Sequence, residues 1–340
     1  MTSDIFDPLF ERQDLRLERL GNPLLELNEH IDWEAFRPVL DRAHHKKRKN
    51  NAGAPIKDVL MMFKGLVIQN LYGLSDEQLE YQIEDRRSFQ KFLGLSAHQR
   101  SPDQKTFWAF RNRLSQQNVT KTLFDQFSVQ RQQAGYLARK GQIVDASLVP
   151  APIQRNQRED NETIKQGDVP KDWSENQRRQ KDTDARWTKK NGKSHYGYKN
   201  HVQADHENKL IRAFKITDAS VHDSQVFEEW LDSTNTSKDV WADSAYRSKE
   251  QQARLKQKGY RSHVQRKGGR NQPLSKREQQ GNRTRSKVRS RVEHVFGAPC
   301  SLRQKAIGCI GVVRARTDIG LMNLVYNMRR LCFLERPCAS

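Results

Sequence analysis

Gln142-Ile-Val-Asp-Ala-Ser-Leu-Val149 is the stretch on which the reading of the fold turns. It is a short apolar run, rich in β-branched residues and carrying one carboxylate, Asp145. That is the pattern of a buried strand. An acid in such a strand is costly unless something offsets its charge. Asp145 is therefore read as a metal ligand in preference to a turn-capping Asp.

Before this run the period is helical. Pro55 to Tyr72 carries Ile56, Leu60, Phe63, Val67 and Leu71 at helical spacing and stops at Gly73. Ser75-Asp-Glu-Gln78 has the form of a capping box and leads into a helix with Leu79 and Ile83. Ser101-Pro-Asp-Gln104 repeats the device, with Pro102 as the first helical residue, ahead of Phe107, Phe110, Arg111, Arg113 and Leu114. A last helix runs from about Val119 to Ala134, with Gly135 as its stop. Residues 1–140 are thus expected to form a helical domain. A helix-turn-helix and a plain bundle fit this periodicity equally.

After the run come residues 150–194, a polar insertion with seven apolar residues in 45, expected as loop or partly disordered. A hairpin follows, Tyr196–Ala204 and Leu210–Thr217. Then come a short helix over Asp223–Leu231 with Val226, Phe227 and Trp230, a strand at Val240-Trp-Ala-Asp243, a helix over Ser248–Lys258 and a strand over Tyr260–Val264. Two helices close the chain, about Thr284–Phe296 and Val312–Leu334. The expected fold class is α+β: a helical domain over 1–140, then a mixed sheet flanked by helices over 141–340.

The 340 residues hold 61 Lys and Arg against 41 Asp and Glu, a net charge of +20. Mean hydropathy is −0.95 and the pI is about 9.9. Such an excess points to a polyanion, by default nucleic acid. Gln251–Arg291 alone carries 14 Lys and Arg against the single acid Glu278. It includes Arg266, Lys267, Arg270, Arg285, Lys287, Arg289 and Arg291, a cluster suited to phosphates. Arg111 and Arg113 fit a second phosphate-facing helix, and His44-His-Lys-Lys-Arg-Lys49 reads as an exposed basic loop. The first thirty residues hold Asp4, Asp7 and Glu11 and no apolar core, so no signal peptide is expected. The longest apolar run, Val59–Phe63, is far too short to span a bilayer. Cys300, Cys309, Cys332 and Cys338 form no C-x-x-C pair and are expected as reduced cytoplasmic thiols. Asn191-Gly-Lys-Ser194 ends like a P-loop but has Trp187 at the first Gly position, so no nucleotide cofactor is expected. His206-Glu207 has Leu210 where a zinc-binding His would be needed.

Three acids remain in a suggestive order: Asp145 and Asp243 on strands, and Glu293 on a helix after five interleaved basic residues. Carboxylates converging at one sheet edge suit Mg²⁺. Two such ions about 3.5–4 Å apart can drive phosphodiester displacement. Asp182, Asp184 and Asp223 are spare acids, and His222 and His294 are neighbouring imidazoles. Trp173 and Trp187 in the polar insertion could stack on an unpaired base or anchor the insertion to the sheet.

Ile143-Val-Asp-Ala-Ser147, Trp241-Ala-Asp-Ser-Ala-Tyr-Arg247 and Arg289-Ser-Arg-Val-Glu-His-Val-Phe-Gly297 together resemble the three catalytic blocks of bacterial insertion-sequence transposases of the DDE type, with a ribonuclease-H-like fold. Leu71–Gln78, Asp85–Phe89, Phe92–Leu95, Lys181–Thr188 and Tyr196–Lys199 are similar to the IS-five branch, so the resemblance covers roughly residues 5–332. It implies Asp145, Asp243 and Glu293 as the catalytic, metal-binding triad. It also implies two Mg²⁺ ions, replaceable by Mn²⁺, and double-stranded DNA (element ends and target) as partner. A homodimer on DNA and a cytoplasmic, nucleoid-associated location are implied as well. Arg289, four residues before Glu293, matches a signature Arg and is expected on the same helical face. Ser286 and Cys300 stand where the related families place Tyr and Lys. The residues by themselves leave two other readings open: a metal-dependent DNA endonuclease that cuts without joining, and a non-catalytic DNA-binding regulator.

Overall fold

The computed structural model describes residues 12–336 apart from 13–14, 18, 45–56, 97–98, 138–139, 191, 226–230, 232, 234, 270–271 and 298–306. Arg270, the basic run 45–49, Ile56, Val226, Phe227, Trp230, Cys300 and Cys338 lie outside the described residues.

The N-terminal helices are α1 (Pro23–His30), α2 (Arg37–His44), α3 (Val59–Tyr72), α4 (Asp76–Asp85), α5 (Arg87–Leu93), α6 (Gln104–Gln116) and α7 (Thr120–Gln133). Helix α3 is buried on all sides and forms their centre. It starts at Val59, not Pro55, because the Asp58 carboxylate accepts from the amides of Leu60 and Met61. It ends at Gly73, whose φ of 67° suits the left-handed cap. The Ser75–Gln78 capping box is present. The second device is displaced: Asp103 caps α6 by accepting from the Thr106 amide at 2.7 Å, while Ser101 bonds Glu84. Pro102 therefore precedes the cap.

The sheet starts with β1 (Gln142–Pro150) at its centre. On one side β3 (Lys193–Asp205) runs antiparallel to it and pairs in turn with β2 (Arg186–Lys190) and β4 (Ile211–Asp218). On the other side β5 (Asp239–Ala242) runs parallel to β1, and β6 (Arg261–Ser262) runs parallel to β5. This mixed sheet after a helical region is the expected α+β class. The 150–194 insertion is more ordered than its composition suggested. It contains α8 (Arg158–Lys165), α9 (Glu175–Gln180) and β2. The remaining helices are α10 (Lys249–Gln257), α11 (Lys276–Arg289), α12 (Glu293–Gly297) and α13 (Val312–Glu335).

Helix α13 joins the two halves. It packs on α1, α3, α6 and α7 as well as on β4. One continuous apolar cluster therefore includes Phe63, Phe107 and Phe127 from the first half and Ile143, Val202, Leu324 and Val325 from the second. Gly320 allows the closest approach: a Cβ there would lie 2.5 Å from Thr120 Cγ2. Polar groups on this helix are satisfied in pairs. Asn323 and Asn200 exchange amide hydrogen bonds at 2.8 and 3.1 Å, and Asn327 both donates to and accepts from the Ile211 backbone at 2.8 Å. Among the described residues no helix is long and apolar enough to cross a membrane.

His201 sits opposite Ala146 in the β1–β3 register and is 1% exposed. Its Nε2 lies 3.0 Å from Thr217 Oγ1. Burial is the main cause that holds its pKa down to about 4. The folded state thus binds this proton less readily than the unfolded chain, whose His titrates near 6.5. Stability from this group is complete above pH 6.5 and is lost as pH falls toward 4, by up to about 3 kcal/mol. Urea midpoints between pH 7.5 and 4.5 should fall more steeply for the wild type than for His201→Gln. Parallel pH profiles would assign the acid lability elsewhere.

Candidate active site

The register of the parallel pair builds the site. Gln142, Ile143 and Val144 pair with Val240, Trp241 and Ala242, and the pairing stops there. The next residue on each strand is an aspartate, Asp145 and Asp243. Adjacent strands lie about 4.8 Å apart, so the two acids emerge side by side where the strands diverge. Hydrophobic residues just before each one, Val144 and Ala242, are buried and fix the strands.

Asp145 is held on both oxygens. Oδ1 accepts from the Ala146 amide at 2.8 Å, and Oδ2 accepts from Arg289 Nη1 at 2.8 Å. Burial raises its pKa; the Arg289 charge and the Ala146 amide oppose the shift, and the Asp243 charge adds to it. Asp243 caps a 3₁₀ turn, Ser244–Tyr246, by accepting from the Ser244 amide. The Tyr246 ring is buried in the apolar cluster that holds Val144, Val240 and Ala242. Its pKa is raised by burial and then by the charges of Asp223, Asp145 and Asp243. Asp223 lies 3.0 Å from Lys199 Nζ.

Glu293 is placed differently. The helix expected over Thr284–Phe296 begins eight residues earlier, at Lys276. There Ser275 and Glu278 form a capping box, the same signal that marks Ser75–Gln78. It then breaks into a 3₁₀ turn, Ser290–Val292, and Glu293 opens α12 as an exposed residue. Arg289 and Glu293 therefore do not share one continuous helical face, which corrects the expectation from their spacing. Among the described residues no three His, Cys, Asp or Glu side chains are gathered closely enough to hold a metal ion. Asp145 and Asp243 offer the hard oxygen donors that a divalent cation takes, and a cationic guanidinium already faces one of them. They fit as two-thirds of a ligand set.

The basic residues separate into groups. Lys267, Arg283, Lys287 and Arg291 are exposed, with Arg291 also donating to the His206 carbonyl at 3.1 Å. Arg266 is exposed but bonds Glu278, and Arg285 is half-buried with Nη1 3.3 Å from Asn282. Arg247 escaped the sequence reading, although it ends the Asp243 block. Burial lowers its pKa, and so do the Arg266 and Arg285 charges, so the three form one cationic cluster. Arg111 does not face phosphate as expected. It points inward, 14% exposed, with both Nη atoms 2.7 Å from Asp76 and its Nε 3.5 Å from Asp318. Arg113 lies 3.0 Å from His44 Nδ1.

The spare acids and aromatics are also resolved. Asp182 is 2% exposed and accepts from Tyr198 Oη and from the amides of Asp184, Ala185 and Gly311. It is a structural carboxylate. Asp184 accepts from the Val312 amide at 2.8 Å. Trp173 is buried, with Lys181 Nζ 4.7 Å from its ring centre, so it packs within the insertion. Trp187 is exposed, with its ring 5.2 Å from Tyr196.

Residues 136–328 match the family described as Transposase DDE domain, and residues 12–113 match Transposase domain (DUF772). A transposase for insertion sequence element IS1106 from Neisseria meningitidis serogroup B is 32% identical over 193 residues. That match covers 56% of this chain and 65% of the relative, so the chain spans somewhat less than two-thirds of the relative's length. A piggyBac transposase in a synaptic complex with hairpin DNA superposes with a TM-score of 0.48 at 13% identity, over 92% of this chain and 75% of that one.

Proposed function

Since the chain belongs to the DDE transposase family, we propose that it binds the terminal inverted repeats of its own insertion sequence, cuts there and joins the freed ends to target DNA. The observation that carries this reading is the emergence of Asp145 and Asp243 side by side from two parallel strands. Family membership implies divalent metal dependence. The finer reading is two Mg²⁺ ions, with Mn²⁺ able to substitute, held by Asp145, Asp243 and Glu293. Bound metal supplies the charge neutralisation that phosphodiester displacement requires.

The chain's own residues do the rest. Lys267, Arg283, Lys287 and Arg291 hold phosphates of the DNA end, and the Arg247, Arg266 and Arg285 cluster extends that surface beside Asp243. Water attacks the scissile phosphorus and the strand leaves as a 3′-OH. That hydroxyl then attacks a target phosphodiester and expels a second 3′-oxygen. The helical part, residues 1–140, is assigned to end recognition and residues 141–340 to chemistry. Assignment to the IS-five branch rests on the motif similarity, and a homodimer pairing both ends is part of the same reading.

DNA carrying the element's own ends tests it. With Mg²⁺ or Mn²⁺ the wild type should release 3′-OH ends. Glu293→Gln should lose on the order of 10²-fold in rate and still bind the DNA. Equal rates in both would remove Glu293 from the site. Pre-cut 3′-OH ends that are never joined at any divalent metal would leave an endonuclease.

A further inference from the structure

Arg289 is bound to Asp145 in a way that leaves it free to depart. Among the described residues its one hydrogen bond runs from Nη1 to Oδ2 at 2.8 Å, with the two side chains 25% and 14% exposed. Its Nε is buried with no hydrogen-bond partner among the described residues. A guanidinium is most strongly held by a two-pronged grip on a carboxylate, and this one lacks it.

Glu293 is displaced by a definable amount. A 3₁₀ turn advances about 120° per residue and an α-helix about 100°. Across Ser290–Val292 this rotates Glu293 roughly 60° further from the face of Arg289 than an unbroken α-helix would. Residues four apart in an unbroken helix share a face. Rewinding the turn would therefore bring Glu293 to the side from which Arg289 reaches Asp145. Short 3₁₀ segments inside helices mark such hinges.

We propose that Arg289 is a positioning residue that holds the cation's place at Asp145, and that metal entry releases it while the 290–292 turn rewinds and brings in Glu293. This rests on the reading of Asp145, Asp243 and Glu293 as metal ligands. Charge supports the exchange. Two aspartates with one guanidinium carry a net charge of −1, and three carboxylates with the first of the two divalent cations carry the same. Entry of the first cation therefore leaves the charge of the site unchanged, and the released guanidinium becomes available to a DNA phosphate.

The test is Mn²⁺ affinity of the full chain without DNA, from the electron paramagnetic resonance of free Mn²⁺. Arg289→Gln should bind about tenfold more tightly than wild type, Arg289→Lys about equally, and Asp145→Asn should lose the site. Unchanged or weaker binding by Arg289→Gln overturns the placeholder role, and loss in Asp145→Asn leaves the metal reading standing beside it. Wild-type affinity in Asp145→Asn would instead sink the metal reading itself. A second measurement needs no variant: Mn²⁺ should slow amide hydrogen exchange in wild-type residues 290–297. Unchanged exchange in a protein that does bind Mn²⁺ overturns the rewinding.

Discussion

Asp145→Asn is expected to abolish cleavage and joining while leaving the protein folded and bound to DNA. The amide preserves shape and still accepts from the Ala146 amide through its oxygen, but it removes one negative charge from the pair with Asp243. A metal contributes several kcal/mol of charge stabilisation to such a displacement. Losing a ligand that anchors it should therefore cost on the order of 10³-fold in rate. The fold should tolerate the change. Burial already disfavours the Asp145 charge, as its raised pKa records, so neutralisation offsets much of the lost contact with Arg289. Rates on pre-cut and uncut ends, with a gel shift on the same DNA, check both halves. Full cleavage rates in the variant would take Asp145 out of the site, whereas no cleavage by either protein, with all cellular activity kept by the variant, would favour the DNA-binding regulator.

Asp182→Ala should have the opposite signature, a large loss of stability. This carboxylate ties together three separate parts of the chain. It accepts from Asp184 and Ala185 before β2, from Tyr198 in β3 at 2.8 Å, and from Gly311 ahead of α13 at 3.1 Å. It is 2% exposed, so no solvent replaces it. Truncation leaves a buried hydroxyl and three amides without their acceptor, at about 3–5 kcal/mol. That is a large share of the roughly 5–15 kcal/mol that holds a domain together. Tyr198→Phe removes one of these contacts and should cost about 1 kcal/mol. Urea midpoints of the two variants give the comparison. An unchanged midpoint in Asp182→Ala would return this residue to the spare ligands among which the sequence leaves it.

The sequence reveals the strand around Asp145 because its apolar pattern is local. The helix starts are legible for the same reason, since a capping residue bonds amides two or three positions away. Ser275–Glu278 has the same local signature, set amid the basic run. Arg111 shows the limit: next to Phe107 and Phe110 its charge looks available, but its partners, Asp76 and Asp318, lie 35 and 207 residues away. The insertion misleads in the other direction. Its composition is too polar to suggest a fold, and Asp182 ties it to elements elsewhere through Tyr198 and Gly311.

By itself the sequence determined the α+β order, the basic surface after Gln251 and the three acids that could share one chemistry, because each follows from residue type and local spacing. The tertiary structure decided which of those acids meet. Strand register sets Asp145 beside Asp243 across 98 residues of chain, a 3₁₀ turn precedes Glu293, and Arg289 faces Asp145. Register and helical phase arise from packing between distant segments, and no local pattern encodes them.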